Sequence, residues 1–202
     1  MKNKVIFFAI VASIILSSCA TTQVTRISSD TSVDLSGYWN DTDLRIVCKD
    51  LISKCLSSPR LANFEEKNGR LPVIMVGRFK NDSTEHIDTS IITEKMSDAI
   101  IDSGIADFVA DKSSREELRE ERKDQNIAGY TSEESMKNMS GEIGADFILQ
   151  GSVKTIVDKV GNKTVRTYFV SVQLINLETN ILIFKGVNDS IKKVIKTKTP
   201  KF

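Results

Sequence analysis

A single histidine, three cysteines and a polar loop are the parts of this 202-residue chain whose side chains could do chemistry. His86 stands between Ser83 and Asp88. That trio invites general-base chemistry, in which an imidazole takes a proton from a hydroxyl. No nucleophile motif, phosphate-binding glycine loop or dinucleotide fingerprint accompanies it. His86 is therefore read as a loop side chain bonding its neighbours, and no catalytic residue, cofactor site or metal site is expected. Cys48 and Cys55 fall on one apparent helix, where their spacing gives about 10.5 Å of rise. A disulfide needs α-carbons within about 7 Å. Both are read as small buried hydrophobes, and with one histidine they do not form a metal set.

The third cysteine has a different setting. Lys2 and Lys4 precede an apolar run from Val5 to Leu16, and small residues follow. The run suits an export signal better than a spanning helix. Leu16-Ser-Ser-Cys19 resembles the bacterial lipobox, in which cleavage leaves the cysteine first, carrying a diacylglycerol thioether. Cys19 is accordingly expected to be lipid-modified once residues 1–18 are removed. Several acyl chains then hold the protein on a membrane, at about 0.8 kcal/mol per buried methylene. Ala20 after the cysteine, in place of an Asp, favours the outer membrane by analogy with known sorting signals. The formal charge is only +1, and losing Lys2 and Lys4 leaves it near neutral, so nothing draws the whole chain to nucleic acid.

The elements that would position such groups follow from periodicity. Residues 19–36 form the lipidated start and a flexible Ser/Thr-rich tether, reaching at most about 70 Å to the first helix. Residues 37–189 form the globular domain. Residues 190–202 form a basic tail with Lys192, Lys193, Lys196, Lys198 and Lys201, read as solvated, with anionic lipid or wall polymer as the alternative contact. Tyr38 and Trp39 form either an exposed partner site or, more plainly, a lid on the domain edge. Asp41 or Thr42 caps a helix burying Leu44, Val47, Cys48, Leu51, Ile52, Cys55 and Leu56, and Pro59 ends it.

Leu71 to Phe79 reads as a strand covered on both faces. After a polar loop, Asp88 or Thr89 caps a helix with Ile91, Ile92, Met96, Ala99 and Ile100 inward and Gly104 as its stop. Ala106 to Ala110 is a second strand. Asp111 to Gln125 is a polar helix with like charges at i, i+4, either a solvated excursion or a partner-binding arm. Thr131-Ser-Glu-Glu134 predicts a short helix with Met136, Met139 and Ile143. Strands over Phe147–Val157, Thr164–Leu177 and Ile181–Val187 make an antiparallel meander. The fold class is α/β in the mixed α+β sense: a single mixed sheet flanked by helices.

Several of these stretches together resemble a known family. They are the lipobox ending at Cys19, Ser36-Gly-Tyr-Trp-Asn-Asp-Thr-Asp43, and Leu71-Pro-Val-Ile-Met-Val-Gly-Arg78 followed by Asn81 and Glu85-His-Ile-Asp88. Further matches are Arg115-Glu-Glu-Leu-Arg-Glu-Glu-Arg122, Gly144-Ala-Asp-Phe147 and Leu177-Glu-Thr179. The family is that of the penicillin-binding-protein activator lipoproteins of the LpoB type. The resemblance implies a domain like the N-terminal domain of TolB, without enzymatic activity. It also implies a periplasm-facing outer-membrane lipoprotein that binds an accessory domain of a bifunctional penicillin-binding protein, a peptidoglycan synthase, and activates it. The expected partner-binding residues are Asn81, Glu85, His86 and Asp88 on the loop, and Arg115, Arg119 and Arg122 on the charged helix, in a monomeric protein. The alternative is a subunit of a CsgG-like outer-membrane secretion complex. That would need extra membrane-spanning strands, which the chain is too short to supply.

Overall fold

The computed structural model describes residues 22–29, 31–127 and 130–197. Cys19 with the expected leader, and Lys198 and Lys201, lie outside the described residues. In chain order the elements are α1 (Asp41–Leu56), α2 (Pro59–Asn68), β1 (Val73–Asn81), α3 (Thr89–Ser103) and β2 (Asp107–Phe108). Then come α4 (Lys112–Gln125), β3 (Phe147–Val160), β4 (Lys163–Asn176), β5 (Leu182–Asn188) and β6 (Lys192–Lys196). The chain divides after Ser32. The described residues before that point hold no helix or strand, and Val33 begins the folded unit.

β4 organises the sheet. Tyr168, Val170, Val172 and Leu174 alternate along it and are fully buried, so one face of the strand is core for most of its length. The sheet order is β2-β1-β3-β4-β5, with β6 also paired to β4. β1 lies parallel to both β2 and β3. The pairs from β3 onward are antiparallel. The sheet is thus single, mixed and open, as expected. The two-residue turn Gly161-Asn162 joins β3 and β4 into a hairpin longer than periodicity suggested, and Gly161 takes the left-handed conformation that turn needs (φ 57°).

The helices cover one face only. α1 packs on β4, β5 and α3, while α3 packs on β1 and β2. The other face carries Gln150, Ser152, Ser171 and Gln173 around an open trough. The expectation of a β1 strand covered on both faces is therefore corrected. Val73 and Ile74, which point to opposite faces, are both buried, but no second helical layer lies over the strand.

Local chemistry explains the boundaries. Asn40 caps α1, one residue before the expected position. Its side chain accepts from the Asp43 N–H at 3.1 Å and its own N–H donates to the Asp43 carboxylate at 3.0 Å. Pro59 does not simply stop a helix. It sits in the first turn of α2, where its missing N–H costs nothing. Asp88 caps α3 and Gly104 ends it at φ 63°, both as expected. Residues 131–146 form turns rather than the expected helix. Ser132 and Ser135 hydroxyls bond each other, and Met139 and Ile143 stay exposed with no apolar surface to meet.

The stretch read as a basic tail holds β6. Lysines hid its alternation. Ile195 and Lys193 face one way, and Lys193 is satisfied by two acids.

Met96, fully buried on α3, tests this packing. Met96→Ala is expected to lower unfolding free energy by about 2–5 kcal/mol, seen as a lower urea midpoint with an unchanged slope.

Candidate partner-binding surface

The loop from β1 to α3 is built around two side chains, an exposed Asn81 that bonds the loop itself and a Glu85 turned into the protein. Asn81 donates from its side-chain amide to the Glu85 carbonyl at 2.8 Å and the Ile87 carbonyl at 3.3 Å. Its carbonyl oxygen accepts from the Ser83 hydroxyl at 2.6 Å and N–H at 3.0 Å. Asn81 thus shapes the loop. Glu85, expected to face a partner, is turned into the protein, with its side chain 6% exposed. The Tyr168 hydroxyl lies 2.7 and 2.9 Å from its two carboxylate oxygens. The Trp39 N–H donates to the same group at 3.1 Å, and Arg166 pairs with it at 3.4 Å. Burial, then the Glu85 bond, holds the Tyr168 phenol far above its usual range.

This carboxylate fastens a strap, residues 33–40, across the sheet. The Trp39 ring meets Tyr168 at 5.4 Å between centroids, and Arg166 lies over Tyr38 at 4.1 Å. Arg166 also donates to the Gly37 carbonyl. Lys193 of β6 reaches Asp34 at 2.8 Å, Asp43 at 2.6 Å and the Tyr38 carbonyl at 2.8 Å. Burial works against the charge of Lys193, but the bonds to Asp34 and Asp43 outweigh it and raise its pKa. Trp39 is accordingly part of a lid, while Tyr38 stays largely exposed.

His86 and Asp88 remain on the outside of the loop. Asp88 is held by the Ser90 N–H and hydroxyl at the start of α3. Ser83 bonds Asn81 and the Glu85 carbonyl instead of His86. The structure therefore does not assemble Ser83, His86 and Asp88 into a proton relay. Among the described residues, no group of three or more His, Cys, Asp or Glu could hold a metal ion. Cys48 and Cys55 are free and buried, and burial pushes their thiols up to about 11 and about 12.

α4 stands apart, with no buried residue. Asp111 caps it through the Ser113 and Ser114 N–H groups. Arg119 grips Glu142 with two bonds, at 2.9 and 2.7 Å, and Arg122 adds a third at 2.7 Å. These bonds hold the Glu142 carboxyl down to about 2. Gln125 and Asn126 bond the backbone of Lys137, so the helix and the turn region after it form one clip. A hollow of about 280 Å³ beside the two arginines is lined by Lys123, Met139 and Ser140. Arg115 is half-buried near the helix start. Among the described residues no hydrogen bond or ion pair joins the α4 arginines to Asn81, His86 or Asp88.

Two features escaped the sequence reading. Asp146 chelates Arg70 with two 2.7 Å bonds and accepts from the Val73 N–H, which locks the starts of β1 and β3 together. The Arg70 bonds hold its carboxyl below the usual range. The second is the trough on the open sheet face, about 250 Å³, floored by Gly151. Arg78, Lys80, Asp82, Gln150 and Gln173 line it, and none has a side-chain hydrogen bond or ion pair with another described side chain. The polar alternation of Ser171 and Gln173 was its only sequence signal.

The family model described as peptidoglycan-synthase activator LpoB matches residues 43–189. No curated protein matches. Among solved structures, the LpoB C-terminal domain from Escherichia coli is similar at 15% identity and TM-score 0.45, over 77% of this chain and 99% of that one. The LpoB C-terminal domain from Salmonella enterica gives 16% identity and TM-score 0.42 over the same shares. The PelC dodecamer from Paraburkholderia phytofirmans gives 14% identity and TM-score 0.36, over 71% and 82%.

Two tests probe this geometry. Tyr168→Phe keeps the ring against Trp39 but strips a donor from the buried Glu85 carboxylate. It is expected to cost about 1–3 kcal/mol of stability and to red-shift the emission of Trp39, the sole tryptophan. The depressed Glu142 pKa means that the clip is complete above the ordinary glutamate range and opens as pH falls through about 2. NMR titration of Glu142 is expected to show that midpoint, moving toward the ordinary glutamate value in Arg119→Ala/Arg122→Ala.

Proposed function

The chain belongs to the LpoB family of peptidoglycan-synthase activators, and from that premise we propose that it is a non-catalytic regulator, lipid-anchored through Cys19 in the outer membrane. It faces the periplasm and binds and activates a bifunctional penicillin-binding protein. The observation that carries this reading is the family match over residues 43–189, which takes in every described element from α2 to β5 whole, and most of α1.

A tether supports the reading physically. It turns a bimolecular encounter into one at high effective concentration, so a modest interface suffices. Activation then requires tighter binding to the working state of the synthase than to its resting state. Outward-facing side chains are what a partner would meet. These are His86 and Asp88 on the β1–α3 loop, Arg119 on α4 with the half-buried Arg115 and Arg122 beside it, and the unpaired donors Arg78 and Lys80 of the trough. Asn81 contributes by shaping the loop, and Glu85 by holding it down. Acidic side chains on the synthase would complement the arginine and lysine groups.

The lipidated chain is expected to raise glycan polymerisation by a purified bifunctional synthase from its own bacterium several-fold. Crosslinking in the native cell with Cys19 intact is expected to capture that synthase. His86→Ala/Arg115→Glu/Arg119→Glu is expected to weaken binding about tenfold or more, roughly 1.4 kcal/mol, with an unchanged circular dichroism spectrum. Capture of no synthase together with an unchanged polymerisation rate would rule the proposal out.

A further inference from the structure

The β3–β4 hairpin runs beyond β1 and β5. Its far end is paired only with β6, and the face turned away from the helices there carries an unusual mixture. Lys154 lies on β3, Lys163 on β4, and Lys192 and Lys196 on β6, all on that face by register. All four are exposed, and none has an ion-pair or hydrogen-bond partner among the described residues. Lys163 and Lys196 stand directly opposite each other, a repulsive cross-strand pair. Between the lysines lie Ile156, Val160 and Val194, which are 61%, 76% and 54% exposed. One acid, Asp158, shares the face.

Edge lysines commonly guard a sheet against strand addition. That accounts for Lys192 and Lys196 on the edge strand β6. It does not account for Lys163, whose strand has neighbours on both sides, or for the aliphatic side chains left bare among the cations. Aliphatic groups ringed by unpaired lysines are what a phospholipid surface accepts: the apolar tips enter the headgroup boundary and the ammonium groups meet phosphates.

A second observation concerns the same end of the fold. The folded unit begins at Val33, and Asp34 is held by Lys193 of β6 at 2.8 Å. The first residues of the fold therefore sit against β6 from the covered side, on the face opposite to the one that carries Lys192, Val194 and Lys196. From Cys19 to Asp34 the chain spans at most about 50 Å.

We infer that the open face of this hairpin end, with β6, is a docking surface for an anionic phospholipid bilayer, on the strand whose other face holds the first residues of the fold. The contact fixes which way the domain stands on its own membrane, and so which surfaces look outward to a partner. It rests on the lipid-anchor reading for its membrane but not for its chemistry.

The test uses the full chain, purified from membranes and reconstituted, with an environment-sensitive dye at Val194→Cys. Cys48 and Cys55 are buried with raised thiol pKa values and do not compete for label. Retention on neutral phosphatidylcholine vesicles in high salt reports the anchor alone. Dye emission reports the patch. On vesicles containing phosphatidylglycerol the dye is expected to shift to the blue and to be quenched by brominated lipid. On neutral vesicles it is expected to do neither. High salt is expected to abolish the shift in the unaltered surface, as is Lys154→Glu/Lys163→Glu/Lys192→Glu/Lys196→Glu in a chain still retained. Equal emission on the two vesicle types, or a shift indifferent to both salt and charge reversal, would overturn the inference. A chain that neutral vesicles do not retain would instead overturn the anchor. In that case flotation with anionic vesicles supports the docking surface, and failure to float overturns it.

Discussion

A carboxylate with almost no access to water must find its partners inside the protein, and Glu85 finds three of them on two separate stretches of chain. Removing a charge from water costs several kcal/mol unless hydrogen bonds and an opposite charge replace the lost hydration. Here the replacements are the Tyr168 hydroxyl and Arg166 from β4 and the Trp39 N–H from the strap. Each partner is thereby fixed in turn. The β1–α3 loop cannot lift without exposing Tyr168, and the strap cannot peel back without leaving Glu85 short of a donor. The capping pair of Asn40 and Asp43 continues the same constraint into α1, because Asp43 also accepts from Lys193. A handful of polar contacts therefore sets where the first helix begins, how the loop lies and where β6 runs.

This constraint explains which parts of the molecule were legible in advance. The i, i+3, i+4, i+7 pattern from Leu44 to Leu56 and the alternation from Tyr168 to Leu174 report burial directly, so α1 and β4 were readable. Capping chemistry was readable at Asp88 and Gly104 for the same reason, since residue type answers to backbone conformation there. The failures have other causes. β6 is held by pairing to β4 and by Lys193 meeting two acids, neither of which leaves a hydrophobic signature. The Thr131 to Glu134 stretch had the right cap but no surface to bury against, and a short helix without burial does not persist. Glu85 looked like surface because glutamate commonly is. Its partner Tyr168 lies far along the chain, a relation that spacing does not reveal.

The sheet with helices on one side and polar residues on the other divides the molecule by task. The covered face supplies the fold. The open face and α4 bury almost nothing, yet they are not slack. Glu142 holds Arg119 and Arg122 in place, and Asp146 does the same for Arg70 at the opposite end of that excursion's return. Rigid presentation of charge at a surface reduces what a partner must order on binding.

The cations themselves show where internal needs end. Arg70, Arg119, Arg122, Arg166 and Lys193 each face a carboxylate inside the fold. Arg78 and Lys80, which share the trough with Asp82, and the lysines at the hairpin end, which share their face with Asp158, pair with none. A folding requirement does not explain the second group, because an isolated exposed cation contributes little to stability and two opposed lysines subtract from it. Charges that the protein leaves uncompensated at defined positions are most useful when something outside brings the counter-charge. The trough and the hairpin end adjoin on one face of a single sheet, with Ser152 of the trough two residues from Lys154 on β3, so one rigid body presents both. Orientation then links them: the surface that settles on lipid decides how the remaining surfaces are offered.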